Sequence, residues 1–218
     1  MTEWRSLFHP GALEHAHREL ATADRRLAAL AARFGPPRLP PRRPGGVFSF
    51  LATTVIYQQI AIAAARAITR RALVLAGERG RFTPRSILSA GPRALREAGL
   101  SRTKAATLVE LARRAEDGRL PLARIARAGD DEVLRLVTAL PGFGPWSARM
   151  LLIFHLGRPD VFPAGDLGIR HALRELYALD ALPGPAEGEA LAAPWRPYRT
   201  VAALWLWTAR SGRAPGIR

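Results

Sequence analysis

The sequence predicts an all-α fold. Apolar residues recur at the i, i+3, i+4, i+7 spacing of an amphipathic helix in one segment after another. Strand signals are nearly absent, and no internal repeat of fixed period appears.

In chain order, residues 12–33 read as an N-terminal helix, within an expected first segment of residues 1–34. Residues 35–46, GPPRLPPRRPGG, hold five prolines and three arginines; they cannot be helix and predict a stiff, basic connector. Residues 48–76 predict one long or kinked helix. Ser101 is the expected N-cap of a helix running to residue 115, with Ala105, Leu108, Val109 and Ala112 on one face. Asp130 and Asp131 start another, in which Val133, Leu136, Val137 and Leu140 keep the helical spacing. Pro145 suits the first helical position of a segment reaching residue 156, and Asp166 precedes a helix with Ile169, Ala172, Leu173 and Leu176 on one face. A last helix over residues 197–210 carries Trp205 and Trp207, ahead of a tail at 211–218.

Length and composition bound the function. The 218 residues suffice for a real hydrophobic core in one domain or two closely joined lobes, and a chain 48% hydrophobic and 23% charged reads as a soluble globular protein. The 33 Lys+Arg against 18 Asp+Glu give a net charge of +15, which favours a polyanionic partner, nucleic acid or an anionic membrane surface. An arginine bias of genomic or thermal origin gives the same sum, and Lys104 is the sole lysine. The absence of cysteine removes disulfides, thiolate nucleophiles, iron–sulfur clusters and cysteine-based zinc sites. His15 and His17, two apart, leave a helix on different faces, so no metal site is expected from side chains. Charges interrupt the N-terminus before a signal-peptide core can form. The uncharged run at 47–65 carries Thr53, Thr54, Gln58 and Gln59, and reads as a buried helix, not a membrane span.

Chemistry concentrates between residues 140 and 170. In LPGFGPWSA, Gly142 supplies a backbone without a Cβ, Phe143 can plug inward, and Gly144-Pro145 launches the next helix. Two helices joined by such a hairpin (residues 140–146) present outward-facing N–H groups. These can seat a phosphate without reading a base; the alternative is a plain tight turn between helices. Asp166, in DVFPAGDLGIR, is an N-cap for the following helix on the simplest reading.

Together these stretches resemble the helix-hairpin-helix-GPD superfamily of DNA glycosylases, and within it the 3-methyladenine DNA glycosylase II branch. The resemblance spans residues 47–210 in the expected order, with Asp166 following Trp146 by 20 residues. It implies a two-lobed helical fold without the additional N-terminal β-domain of some relatives, for which residues 1–46 leave no room. It implies a monofunctional enzyme that flips an alkylated purine such as 3-methyladenine from double-stranded DNA and hydrolyses its N-glycosidic bond in base excision repair. Asp166 would be the catalytic carboxylate, stabilising positive charge on the sugar or positioning water. Trp146 stands where glycosylase/lyases of the superfamily carry a Schiff-base lysine, and it would line the base pocket with Trp195, Tyr57 and Met150, the last replacing an aromatic of relatives. FSFLATTVIYQQIAIAAARAI would present Ile60 as the wedge that fills the vacated stack, with Gln59 beside it; core packing is the alternative for Ile60 and for Trp146. Gly142, Phe143 and Gly144 would grip the DNA backbone, with Arg102 and Lys104 as further phosphate contacts or a solvated face. No cofactor is implied, although hairpin carbonyls could hold a monovalent cation. A cytoplasmic, nucleoid-associated monomer is expected. Competing expectations are a glycosylase for deaminated or oxidised bases and a non-catalytic helix-hairpin-helix DNA-binding module.

Overall fold

The computed structural model describes residues 6–42 and 44–211; Arg43 and the tail from residue 212 lie outside the described residues. The described chain is helical throughout, with one isolated antiparallel bridge between Glu78 and Arg81. It forms two compact units. One comprises the described residues up to Pro40 together with those from Leu152 onward; the other runs from Pro41 to Leu151. The N-terminal segment thus belongs with the C-terminal helices, and the proline-rich connector changes unit midway.

The first unit holds α1 (Ala12–Ala23) and α2 (Arg25–Phe34) where the periodicity predicted one helix. Asp24 makes the break. Its backbone is extended (φ −141°), and its carboxylate accepts from the N–H groups of Arg26 at 2.7 Å and Leu27 at 3.2 Å. Leu20, Leu27 and Ala31 stay buried across the break, so the apolar stripe runs on and conceals it.

The second unit is built around α3 (Gly46–Tyr57), buried from Val47 to Tyr57 on every side. Such a helix needs no polar face. Its Thr53 and Thr54 return their hydroxyls to the carbonyls of Ser49 and Phe50, at 2.8 and 2.9 Å. The expected 48–76 helix ends at Tyr57 and resumes as α4 (Ile62–Ala76). Gln59 between them sits in the left-handed region (φ 55°), which a continuous helix cannot contain.

α5 (Pro84–Glu97) begins with a capping box in which Thr83 and Ser86 each bond the other's backbone N–H, and it bends at Gly91-Pro92. α6 (Arg102–Glu116) starts at its predicted cap, with Ser101 Oγ accepting from Lys104 N–H at 3.2 Å. The short α7 (Leu122–Arg127) leads to α8 (Asp130–Thr138) and α9 (Pro145–Leu151), the two helices flanking the hairpin. Ile56, Leu108, Ile125, Val133 and Val137 are fully enclosed in this unit's core.

Past the unit boundary the chain makes a π-helical turn over Leu152–Leu156, then α10 (Leu167–Tyr177), α11 (Pro185–Leu191) and α12 (Arg199–Ser211). α12 is anchored by Trp205, whose Nε1 donates to the Gly35 carbonyl at 2.9 Å, and by Arg199, which holds Asp160 at 2.7 Å and Glu189 at 3.0 Å. No helix among the described residues is long and apolar enough to cross a membrane.

Candidate functional site

The predicted residues divide between the units. The second unit carries the hairpin, the loop after α3, Trp146, Tyr57, Met150, Arg102 and Lys104; the first carries Asp166 and Trp195.

The hairpin forms as the glycines require. Phe143 N–H donates to the Leu140 carbonyl at 3.1 Å, and the Phe143 ring is buried under the turn. Gly142 adopts φ +81°, and a Cβ there would meet Thr107 Cγ2 at 3.0 Å. Glycine at this position answers both a left-handed backbone and a close helix neighbour. Gly144 differs: nothing lies within 4 Å of where its Cβ would be, so that flank of the turn is open. Pro145 takes the first helical position as expected.

Gln58 fastens the hairpin to the loop after α3. Its side-chain amide donates to the Gly142 carbonyl at 3.0 Å and to Ser147 Oγ at 3.2 Å. One lone pair of the Gly142 carbonyl is thereby used. Gln58, Gln59, Gly142, Gly144, Trp146 and Ser147 together line an open cavity of about 330 Å³. Half-buried Trp146 is thus at the cavity wall, not in the core.

Ile60 is 37% exposed and Ile62 44% exposed, two apolar side chains presented to solvent by the break between α3 and α4. The core alternative for Ile60 is excluded, and the exposure suits a wedge. Tyr57 and Met150, by contrast, are buried at the end of α3 and on α9.

Lys104 corrects its expected role. Its Nζ donates to the carbonyls of Ile56 at 2.9 Å and Gln58 at 2.6 Å. These are carbonyls that the ending helix leaves without intrahelical partners, so the lysine caps α3 and holds the loop from beneath. Burial pushes its ammonium below the ordinary lysine range. It is not disposed as a phosphate contact, whereas Arg102 is exposed.

In the first unit, Asp166 is the N-cap of α10, as read from the sequence. Its Oδ1 accepts from Ile169 N–H at 3.1 Å and from Trp207 Nε1 at 2.9 Å. Trp207 stacks on Phe154 with ring centroids 5.7 Å apart, which fixes the indole. Gly168 leaves room for this pair: a Cβ there would lie 3.1 Å from Asp166 Oδ1 and 3.6 Å from Trp207 Nε1. The sequence shows Trp207 only as an aromatic residue of the last helix. A Trp at that spacing on an amphipathic helix carries no mark of its carboxylate partner.

Trp195 is a second correction. It is fully buried, its Nε1 donates to Asp24 Oδ2 at 2.9 Å, and its ring meets Phe162 edge-on at 5.6 Å. No face is left on which a base could stack; the residue ties α11 and its 3₁₀ extension to the junction of α1 and α2. Burial pushes the Asp24 carboxyl up, but the Trp195 indole and the N–H groups of Arg26 and Leu27 outweigh it and hold the carboxyl below its usual range.

Comparison with known proteins places this geometry. Residues 52–197 match the family described as HhH-GPD superfamily base excision DNA repair protein. DNA-3-methyladenine glycosylase 1 of Schizosaccharomyces pombe is 35% identical over 159 residues, covering 72% of this chain and 69% of that protein. A putative DNA-3-methyladenine glycosylase, YfjP, of Bacillus subtilis is 28% identical over 166 residues, covering 74% of this chain and 58% of that longer protein. Among solved structures, the Schizosaccharomyces pombe 3-methyladenine DNA glycosylase Mag1 in complex with abasic DNA superposes with a TM-score of 0.82 at 30% identity, over 89% of this chain and 95% of that one. A DNA-3-methyladenine glycosidase from Bacillus halodurans superposes at 0.76 with 31% identity, over 94% and 91% of the two chains. With a family match over most of its length and the hairpin and capped aspartate in place, the chain belongs to the HhH-GPD superfamily of base excision DNA repair proteins.

Proposed function

We propose that the protein is a monofunctional DNA glycosylase that excises alkylated purines such as 3-methyladenine. The observation that carries this reading is the pairing of a cavity-lining Trp146, at the position where a lyase of the superfamily needs lysine, with a sole lysine that is committed to backbone carbonyls. Relatives named as 3-methyladenine glycosylases and the DNA-bound state of one of them support the substrate class.

The residues suggest the following division of labour. The hairpin backbone around Gly142 and Gly144, with exposed Arg102, holds the phosphates of duplex DNA. Ile60 enters the stack as the damaged base leaves it, offsetting part of an unstacking cost of a few kcal/mol. Trp146 stacks on the extruded base, and a cationic alkylpurine gains about 0.5–2 kcal/mol by cation–π attraction over a neutral one.

Bond cleavage then needs little acid assistance. The C1′–N bond breaks with its electron pair going to the base, which departs neutral because it was bound as a cation. The sugar is left with positive charge that the Asp166 carboxylate stabilises, and water adds at C1′ and loses a proton. The products are free base and an abasic site, with the strand intact.

Incubation with methylated duplex DNA tests this. Free 3-methyladenine should appear, and the strand should break only after alkaline treatment. Strand scission without alkali, or an enzyme–DNA adduct trapped by borohydride, overturns the monofunctional reading. Absence of any released base overturns the enzymatic one.

A further inference from the structure

The second unit contains another cavity, which the hairpin, the loop after α3 and the carboxylate loop do not use. It measures about 440 Å³, within the about 300–1,000 Å³ typical of small-ligand sites. Ser49 and Thr53 line it from α3; Arg66, Thr69 and Arg70 line it from α4. Arg66, Thr69, Arg70 and Leu73 follow one another at helical spacing, so α4 turns a single face to the cavity.

Thr69 is the informative residue. Thr53, Thr54, Thr107, Thr138 and Thr208 each return the side-chain hydroxyl to the carbonyl four residues earlier, at 2.7–3.0 Å. Thr69, also helical and only 4% exposed, leaves its hydroxyl without a hydrogen-bond partner among the described residues. Arg66 Nε, on the same face one turn earlier, is buried and likewise unpartnered. Buried polar groups in folded proteins are ordinarily satisfied, and two orphans on one cavity wall mark a place where a ligand completes them.

The donor set defines the ligand. An arginine guanidinium is always charged and donates in a planar fork, and Thr69 adds a hydroxyl proton. Ser49 Oγ accepts from Phe82 N–H at 3.2 Å, which leaves its own proton to donate. No acidic residue is among the described residues lining the cavity, and Glu78 in the adjoining turn accepts from Thr83 Oγ1 at 3.2 Å. Converging donors and two cations without a carboxylate suit a multiply charged, acceptor-only group.

We propose that this cavity is an oxyanion site that binds a phosphate group through Arg66, Thr69 and Arg70. The same chemistry is supplied by free phosphate or by a phosphodiester of bound DNA. The inference rests on the cavity alone and does not depend on glycosylase activity.

The test uses the full chain and inorganic phosphate. The melting temperature should rise saturably with phosphate and exceed the rise in chloride at equal ionic strength. Arg66→Gln should weaken apparent phosphate affinity at least tenfold, and Thr69→Val several-fold. In phosphate-free buffer Thr69→Val should melt at or above the wild-type temperature, because an isosteric methyl replaces an unpartnered hydroxyl. If Arg66→Gln fails to fold, exposed Arg70→Gln serves in its place. Binding of undamaged duplex separates the two sources: a fall of about one in the slope of log affinity against log salt in the Arg66 variant assigns a DNA phosphate, and an unchanged slope with a lost thermal shift assigns the free ion. A phosphate response no greater than that to chloride, with an unchanged duplex slope, overturns the proposal. So does a phosphate response that survives undiminished in the arginine variants.

Discussion

Trp207 Nε1 donates to Asp166 Oδ1 at 2.9 Å, and the same oxygen accepts the N–H of Ile169 at 3.1 Å. One carboxylate oxygen is therefore pinned by two donors from different helices, and the orientation of the other follows. Trp207→Phe removes the N–H while keeping an aromatic ring against Phe154. Losing a hydrogen bond to a charged group costs about 1.5–3 kcal/mol, so excision should slow about tenfold to a hundredfold. The substrate KM should move little, because the indole orients the carboxylate and does not bind the base. Gly168→Ala, which crowds the same oxygen, should act in the same direction.

The two hairpin glycines should behave differently. Gly142→Ala forces a left-handed backbone on alanine and drives its Cβ to 3.0 Å from Thr107, costing about 1–3 kcal/mol of stability by thermal or urea unfolding. Gly144→Ala meets nothing within 4 Å and should leave stability within about 0.5 kcal/mol. Its methyl group stands on the open flank of the turn, so duplex affinity in a titration should drop without any change in melting.

Ile60→Ala separates the wedge from the core. Because the side chain is 37% exposed, truncation should barely change melting temperature. Extrusion of the target base, followed with a fluorescent base analogue opposite the lesion, should weaken by about tenfold, since an apolar insert no longer offsets unstacking.

Asp24 links α1, α2 and Trp195, and its contribution should depend on pH. Asp24→Ala removes the N-cap of α2 and leaves the buried Trp195 indole N–H without an acceptor, at about 2–4 kcal/mol. Hydrogen bonds hold the folded carboxyl below its ordinary 3.8. A depressed carboxyl contributes stability that is present above the unfolded value and is lost as pH falls through the folded one. The difference in melting between wild type and Asp24→Ala should therefore be constant from neutral pH down to about 4 and shrink below it.

Much of this architecture was legible because it is local. Ser101, Pro145 and Asp166 sit at the helix starts where their side chains or ring geometry place them. What escaped depends on distant partners. The break at Asp24 leaves the apolar stripe intact, so periodicity alone runs α1 and α2 together. α5 follows the Thr83–Ser86 capping box, and at Gly91 (φ 69°, ψ 178°) its backbone leaves the helical region, so two helical pieces meet at a kink. Lys104 in the first turn of α6 looked like a phosphate contact, and nothing near it announces carbonyls 46 and 48 residues upstream. Trp195 lay in a stretch that resembled a pocket motif, yet its indole is satisfied by Asp24, 171 residues away. The exposure of Ile60 and the place of Trp146 on a cavity wall, which set both apart from core residues, are likewise properties of packing and not of spacing.

In the proposed reaction Asp166 supports cleavage of the glycosidic bond in addition to capping α10. The most direct measurement is single-turnover release of 3-methyladenine from methylated duplex DNA by Asp166→Asn, in which the amide oxygen can keep the Ile169 cap. Asp166→Asn should keep near-wild-type melting and duplex affinity but release base at least about a hundredfold more slowly, as expected when a charge that stabilises the developing cation is removed. Base release at the wild-type rate by a folded, DNA-binding Asp166→Asn would rule out a catalytic role for the carboxylate.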